Sequence, residues 1–255
     1  MLLDAGRLAV GTLTALPVPA PNTIDRRRAG LAMVLAPLVA VLLLVPPAVL
    51  VTIAHLAGLP PLVQATVCII ALALCTRGLH LDGLADTADG LSASYDRDRA
   101  LAVMRTGDVG PSGVAAVTLT LILQIACGTV LLGSHRGMAL AGVAVLVSRA
   151  ALTWACTRGV PAARPGGLGA TVAQSVHPAV AAGATVLLAG VSVAATALTG
   201  SPWWCGLVVV AGGFVAAAGV VGRCVSRIGG ISGDVLGASV ETTLAVGLLV
   251  AAACS

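Results

Sequence analysis

HLDGLADTADGLSASYDRDRALAVMRTGDVGPSG, residues 80–113, is the long polar interval of a chain that otherwise reads as hydrocarbon. Six of the ten acidic residues lie in it: Asp82, Asp86, Asp89, Asp96, Asp98 and Asp108. The first three follow D-x3-D-x2-D. On a helix turning about 100° per residue, Asp86 falls about 40° from Asp82, and Asp89 about −20° from it. The three carboxylates then share a face, where like charges repel by about 0.2–0.5 kcal/mol per exposed pair. A cation should compensate. Hard oxygen donors at this density suit Mg2+ or Mn2+, which take one or two carboxylates plus substrate phosphates. The plainer reading is a solvated, Asp-rich loop between two membrane spans, and Gly83 and Gly90 weaken the helix.

The rest of the chain sets that interval in a membrane. Of 255 residues, 58% are hydrophobic and only 9% charged, with mean hydropathy +1.05. Soluble domains carry about 25% charged residues. The apolar runs do not alternate, which excludes a β-barrel. The expected fold is therefore all-α: one polytopic helical bundle over residues 1–255. Seven spans of about 20 residues fit a bilayer of about 30 Å: roughly 31–54, 62–79, 111–132, 138–157, 179–199, 204–224 and 234–253. Pro37, Pro46 and Pro47 should kink or split the first. Before it, Leu8 to Leu16 suits an interfacial helix. The prolines that follow, and Arg26–Arg28 behind them, do not fit a signal peptide.

All fourteen basic residues are Arg. With the N-terminus in the cytoplasm, nearly all of those flanking spans fall on the cytoplasmic side and Arg136 falls outside, so the chain reads as N-in and C-out in the cell membrane. Segments 80–110, 158–178 and 225–241 then share one cytoplasmic face, where the active site is expected. The net charge of +4 is small and scattered and does not point to nucleic acid. None of the seven cysteines forms C-x-x-C, and inert buried thiols are expected.

Four features supplement the acidic interval. Asp234 follows two glycine pairs and enters the last span. Glu241 is seven residues on, on the same helical face, and both should line a polar cavity, since ionisable groups at membrane depth are costly. Arg149, within span four, should face the bundle and an anion. GGLGA at 166–170 can present backbone N–H groups to a phosphate if a short helix starts at Ala170. Carboxylates for a divalent cation, arginines for phosphate and a site at the membrane surface together fit metal-dependent phosphoryl or nucleotidyl transfer.

LHLDGLADTADGL at 79–91, followed by DRDRALAVMR at 96–105, closely resembles the signature of the cobalamin synthase family, also called adenosylcobinamide-GDP ribazoletransferases. The resemblance extends in order through LTALPVP at 13–19, SRAALTWA at 148–155, ARPGGLGA at 163–170 and GGISGDVLGA at 229–238. It implies that a ribose hydroxyl of α-ribazole, or of its 5′-phosphate, attacks the cobinamide-side phosphate of adenosylcobinamide-GDP. GMP leaves, and adenosylcobalamin or its 5′-phosphate forms. Mg2+ is the implied cofactor. Carried over residue by residue, Asp82, Asp86 and Asp89 are the metal and catalytic carboxylates, with Asp89 the candidate base. His80 would orient a phosphate or the corrinoid side chain. Arg105, Arg149 and Arg164 are phosphate candidates, and Asp234 is a second metal or ribose contact. The chain departs from the family where an Asp follows Met by two residues: Thr106 stands there, and Asp108 either takes over or that carboxylate is dispensable. A homo-oligomer is compatible with the sequence. A CDP-alcohol phosphotransferase, the alternative, should show D-x2-D-G-x2-A-R, which is absent. A secondary transporter should show related halves, and the acidic motif does not repeat.

Overall fold

The computed structural model describes residues 1–255 as eleven α-helices without a β-strand. They are α1 (Leu2–Leu13), α2 (Arg26–Leu56), α3 (Pro61–Cys75), α4 (Leu79–Ala93), α5 (Arg97–Val103), α6 (Pro111–Leu131), α7 (His135–Ala155), α8 (Gly167–Val172), α9 (Pro178–Leu198), α10 (Trp203–Ile228) and α11 (Gly233–Ala253). Six of them, α2, α6, α7, α9, α10 and α11, are long and apolar enough to cross a membrane. The chain is a multi-pass membrane protein of all-α class.

Two expectations about the first spans change. α2 stays one helix of 31 residues through Pro37, Pro46 and Pro47. Membrane helices tolerate proline where neighbouring groups take up the freed carbonyls. The expected span at 62–79 stops at Cys75. Arg77 and Gly78 then adopt left-handed backbone, with φ of 57° and 70°. α4 leaves at 87° to α3, so the expected second span is a bent pair, Pro61–Cys75 with Leu79–Ala93, which makes a seventh crossing if the two helices count as one broken span.

α11 is the central helix, packed against α4, α6, α7 and α10. Thirteen of its 21 residues are buried, all small or apolar except Glu241. Two buried apolar clusters follow the bundle axis. One, around Met33, Leu152, Ile228 and Leu236, lies at the end where α7 and α10 finish and α2, α9 and α11 begin. The other, around Leu131, Leu140, Val209 and Leu248, fills the opposite end. All seven cysteines are free, and four are buried among these apolar side chains.

Arginines tie the polar segments to the first end. Arg28 Nε pairs with the buried carboxylate of Asp4 at 3.2 Å, and Asn22 N–H donates to the same group at 3.1 Å, which pins α1 onto α2. Arg26 donates to the carbonyls of Ala173 and Gln174, both at 3.2 Å. Two members of the Arg26–Arg28 cluster therefore hold structure.

Candidate functional site

α4 forms despite Gly83 and Gly90, and one of those glycines explains where it lies. A Cβ on Gly83 would come within 2.6 Å of the Asp234 carbonyl, and a Cβ on Gly237 within 3.0 Å of the His80 carbonyl. Only glycine lets α4 and α11 cross this closely. The crossing sets Asp82 of α4 and Asp234 of α11 on the walls of one cleft of about 230 Å3, together with His80 and Arg164, while Leu13 and Met33 supply apolar wall.

The loop carrying Arg164 is bound to the loop before α11. Ala163 N–H donates to the Ile231 carbonyl and Ile231 N–H to the Pro161 carbonyl, both at 2.9 Å. Arg164 Nη2 then lies 3.7 Å from Asp234 Oδ2, and Ser232 Oγ donates to the same oxygen at 3.0 Å. Segments 80–110, 158–178 and 225–241 thus do meet. Arg97 closes the assembly, donating to the carbonyls of Ile228 at 2.9 Å and Ala163 at 2.6 Å. Arg227 donates to the Ser94 carbonyl at 2.8 Å and lies 4.0 Å from the Tyr95 ring centre. Sequence reasoning missed both staples. Their partners are backbone carbonyls more than 60 residues away, which no local pattern encodes.

The carboxylates of D-x3-D-x2-D part company. Asp82 is exposed at the cleft and Asp86 is half-buried. Burial, then the Asp82, Asp234 and Asp89 carboxylates, push Asp86 up to about 6 against the pull of Arg164. This end of α4 holds more negative charge than its arginine balances. Asp89 is only 6% exposed, and both its oxygens are taken: Gly110 N–H donates at 2.7 Å and Gly113 N–H at 2.8 Å. Those N–H groups open α6, whose N-cap Gly110 has no side chain to cap it. Asp89 is a helix cap supplied from a distance, with one backbone N–H on each oxygen. The readable signal was G-P-S-G at 110–113, a helix start with no acceptor of its own.

The other candidates divide as clearly. His80 is 3% exposed, its ring nitrogens have no protein partner, and burial followed by the charge of Arg149 pushes it down to about 3. It is a neutral imidazole at the cleft wall. Arg149 and Glu241 do not reach the cleft. They line an interior void with Gln124, so Glu241 does not share the cavity that Asp234 lines, although it was expected to. The shared helical face holds, but Glu241 lies about 10 Å further along α11. Arg105 and Asp108 are exposed on the turn before α6, at Asp89's end of α4, and neither lines the cleft. Thr106 is exposed there too. The expected helix at Ala170 begins at Gly167, and Gly169 lies against Ser232, where a Cβ would come within 2.7 Å of Ser232 Cα. That glycine serves packing.

No three His, Cys, Asp or Glu side chains converge tightly enough to enclose a metal by protein alone. Mg2+ rarely asks for that. It keeps water and binds through one or two carboxylates with substrate phosphates. Two carboxylates facing one cleft, a third beside them and an unbalanced negative charge fit this open mode.

A family model described as cobalamin-5-phosphate synthase matches residues 5–252. The chain belongs to that family. It is 45% identical over 250 residues to a Nocardioides protein named adenosylcobinamide-GDP ribazoletransferase, covering 98% of this chain and 99% of the relative. A Frankia casuarinae protein of the same name is 42% identical, with 99% and 95% covered. One from Pseudomonas fluorescens is 35% identical, with 92% and 93% covered. No solved structure matches.

Proposed function

We propose that the chain joins adenosylcobinamide-GDP to α-ribazole or its 5′-phosphate, releasing GMP, in the cleft where α4 crosses α11. One observation carries this reading. Asp82 and Asp234, more than 150 residues apart in sequence, face one cleft beside Arg164 and His80. Full-length similarity to proteins named for this transfer supports it.

Asp82 and Asp234 are the residues to hold Mg2+, with Asp86 one turn on. The ion supplies charge neutralisation at the diphosphate and alignment of its oxygens. Arg164 stays within reach of both Asp234 and an incoming phosphate oxygen, and its planar fork suits that contact. The ribose hydroxyl attacks the corrinoid-side phosphorus. A new P–O bond forms, the bond to the GMP oxygen breaks, and the hydroxyl proton passes to a carboxylate. Asp89 accepts two backbone N–H groups, and half-buried Asp86, behind the cleft lining but within electrostatic reach of Asp82 and Asp234, is the further carboxylate offered for the general-base role. Neutral His80 offers one N–H and one lone pair, enough to orient a phosphate or the corrinoid side chain without adding charge. The apolar wall of Leu13 and Met33 limits water at the reacting phosphorus.

The cleft faces the cytoplasm in this reading, with the N-terminus inside and the C-terminus outside, because the arginines gather at the cleft end of the bundle. A C-terminal reporter active only in the cytoplasm should stay silent; a strong signal reverses the orientation. The functional test is GMP release by the purified protein from adenosylcobinamide-GDP and α-ribazole 5′-phosphate, with and without Mg2+. Release should require both substrates and the metal. Corrinoid transport without GMP release would point to a carrier instead.

A further inference from the structure

A second polar cluster lies inside the bundle, apart from the cleft. Arg149 of α7 is 1% exposed, Gln124 of α6 1% and Glu241 of α11 7%. They line a void of about 10 Å3 whose other walls include Leu72, Leu121 and Leu244. Gln124 Nε2 donates to Glu241 Oε2 at 2.8 Å, and Arg149 Nη1 donates to Ser148 Oγ at 2.7 Å. Arg149 Nε has no protein partner. Ionisable side chains at membrane depth are costly. Leucines would fill the same volume without that cost.

What leucines would not supply is register. The contacts around α11 are between small side chains: a Cβ on Gly247 would come within 3.1 Å of the Ala144 Cβ, and one on Gly213 within 3.1 Å of Thr243. Apolar packing is non-directional, so these contacts leave to polar groups the choice among the registers that avoid a Cβ clash. The hydrogen bond that crosses helices here, from Gln124 of α6 to the Glu241 carboxylate of α11, favours one register, and Arg149 of α7 faces the same void without an ion pair to Glu241 inside 4 Å. On α11, Asp234, Gly237 and Glu241 fall at about 0°, −60° and −20°, on one face. The first reaches the cleft, the second seats the His80 backbone of α4, and the third reaches the buried cluster.

We propose that Arg149, Gln124 and Glu241 are positioning residues that set the register of α11 against α6 and α7 and so hold Asp234 opposite Asp82. They act through α11 and touch no substrate. This inference rests on the cleft being the site of transfer.

The test is the double variant Arg149→Leu/Glu241→Leu beside each single change. Thermal unfolding and GMP-release kinetics are both measured on purified full-length protein. Each single change should lower the unfolding temperature, because it strands one buried charge, and the double change should recover most of that loss. The double variant should nevertheless lose at least about tenfold in kcat, with KM for adenosylcobinamide-GDP within about threefold of wild type. Wild-type kcat in the double variant overturns the inference and leaves the cluster as packing. A tenfold rise in KM overturns it differently, by showing that Arg149 meets substrate. If the double variant does not fold, Glu241→Gln is read by the same split. It keeps an acceptor for Gln124 and removes only the charge, and wild-type kcat there again overturns the inference. A wild-type protein that releases no GMP defeats the reading of the cleft itself, a separate outcome seen before any variant is made.

Discussion

The two ends of α4 treat the same side chain in opposite ways. At its start, Asp82 is exposed in a cleft with Asp234 and Arg164. Seven residues on, about 10 Å along the axis, Asp89 is buried and accepts two backbone N–H groups from the start of α6. Both belong to one spaced-aspartate motif. A carboxylate's role is set by the donors its fold brings to it: free at one end it can bind a cation, saturated at the other it holds two helices together.

Asp82→Asn should show the largest effect on activity, because it removes charge where the diphosphate would be neutralised. The expected loss in kcat is about 10²-fold or more, with the unfolding temperature unchanged because Asp82 is exposed. Asp234→Asn should follow, with a strong loss of turnover and normal folded yield. Normal turnover would make Asp234 merely the partner of Ser232 and Arg164.

Asp89→Asn should reverse the balance between activity and stability. An amide has one acceptor oxygen where two N–H groups need one each, so the expected cost is about 1–3 kcal/mol of stability. Unfolding of the purified protein should show it, and activity should fall mainly with folded yield. Gly113→Ala attacks the same joint from the other side, since its Cβ would press on the Asp89 carboxylate and come within 2.9 Å of the Ala85 carbonyl. It should destabilise by a similar amount, about 1–3 kcal/mol. If Asp89→Asn instead lost activity at full stability, the contrast between the ends would collapse.

The smallest effect belongs to Asp98→Asn. That side chain is 90% exposed, and its one ionic neighbour is Arg97 Nη1 at 3.8 Å, on a side chain 51% exposed. Stability should stay within about 0.5 kcal/mol, and activity should be unchanged. Asp96 is a less neutral control than its sequence position suggests, because it accepts from Arg99 N–H at 2.8 Å as the N-cap of α5. Asn caps nearly as well, so Asp96→Asn should still be close to silent.

The span helices were legible because apolar composition and length decide them in a bilayer. α4 was legible as a helix from its carboxylate spacing, and Asp234 was singled out because a charge entering a span needs a reason; it lines the cleft. Arg149 and Glu241 were marked as costly, and the structure sets them around an interior void rather than in the lining of the cleft. Helical periodicity gives a face, and the depth along that face decides whether it meets a cleft or a sealed interior. The capping role of Asp89 was hidden for a related reason. Its partners come from residues 110 and 113, and only the fold brings that helix start to its side. The break after Cys75 was hidden inside an apolar run, since a helix and a sharp turn can share one hydropathy.

The most direct measurement is a Mg2+ titration of GMP release by wild type, Asp82→Asn and Asp89→Asn, each normalised to folded protein. The cleft assignment predicts that Asp82→Asn needs markedly more Mg2+ and still reaches a lower maximum, while Asp89→Asn keeps the wild-type Mg2+ midpoint. Equal midpoints in wild type and Asp82→Asn, or a shift confined to Asp89→Asn, would contradict it.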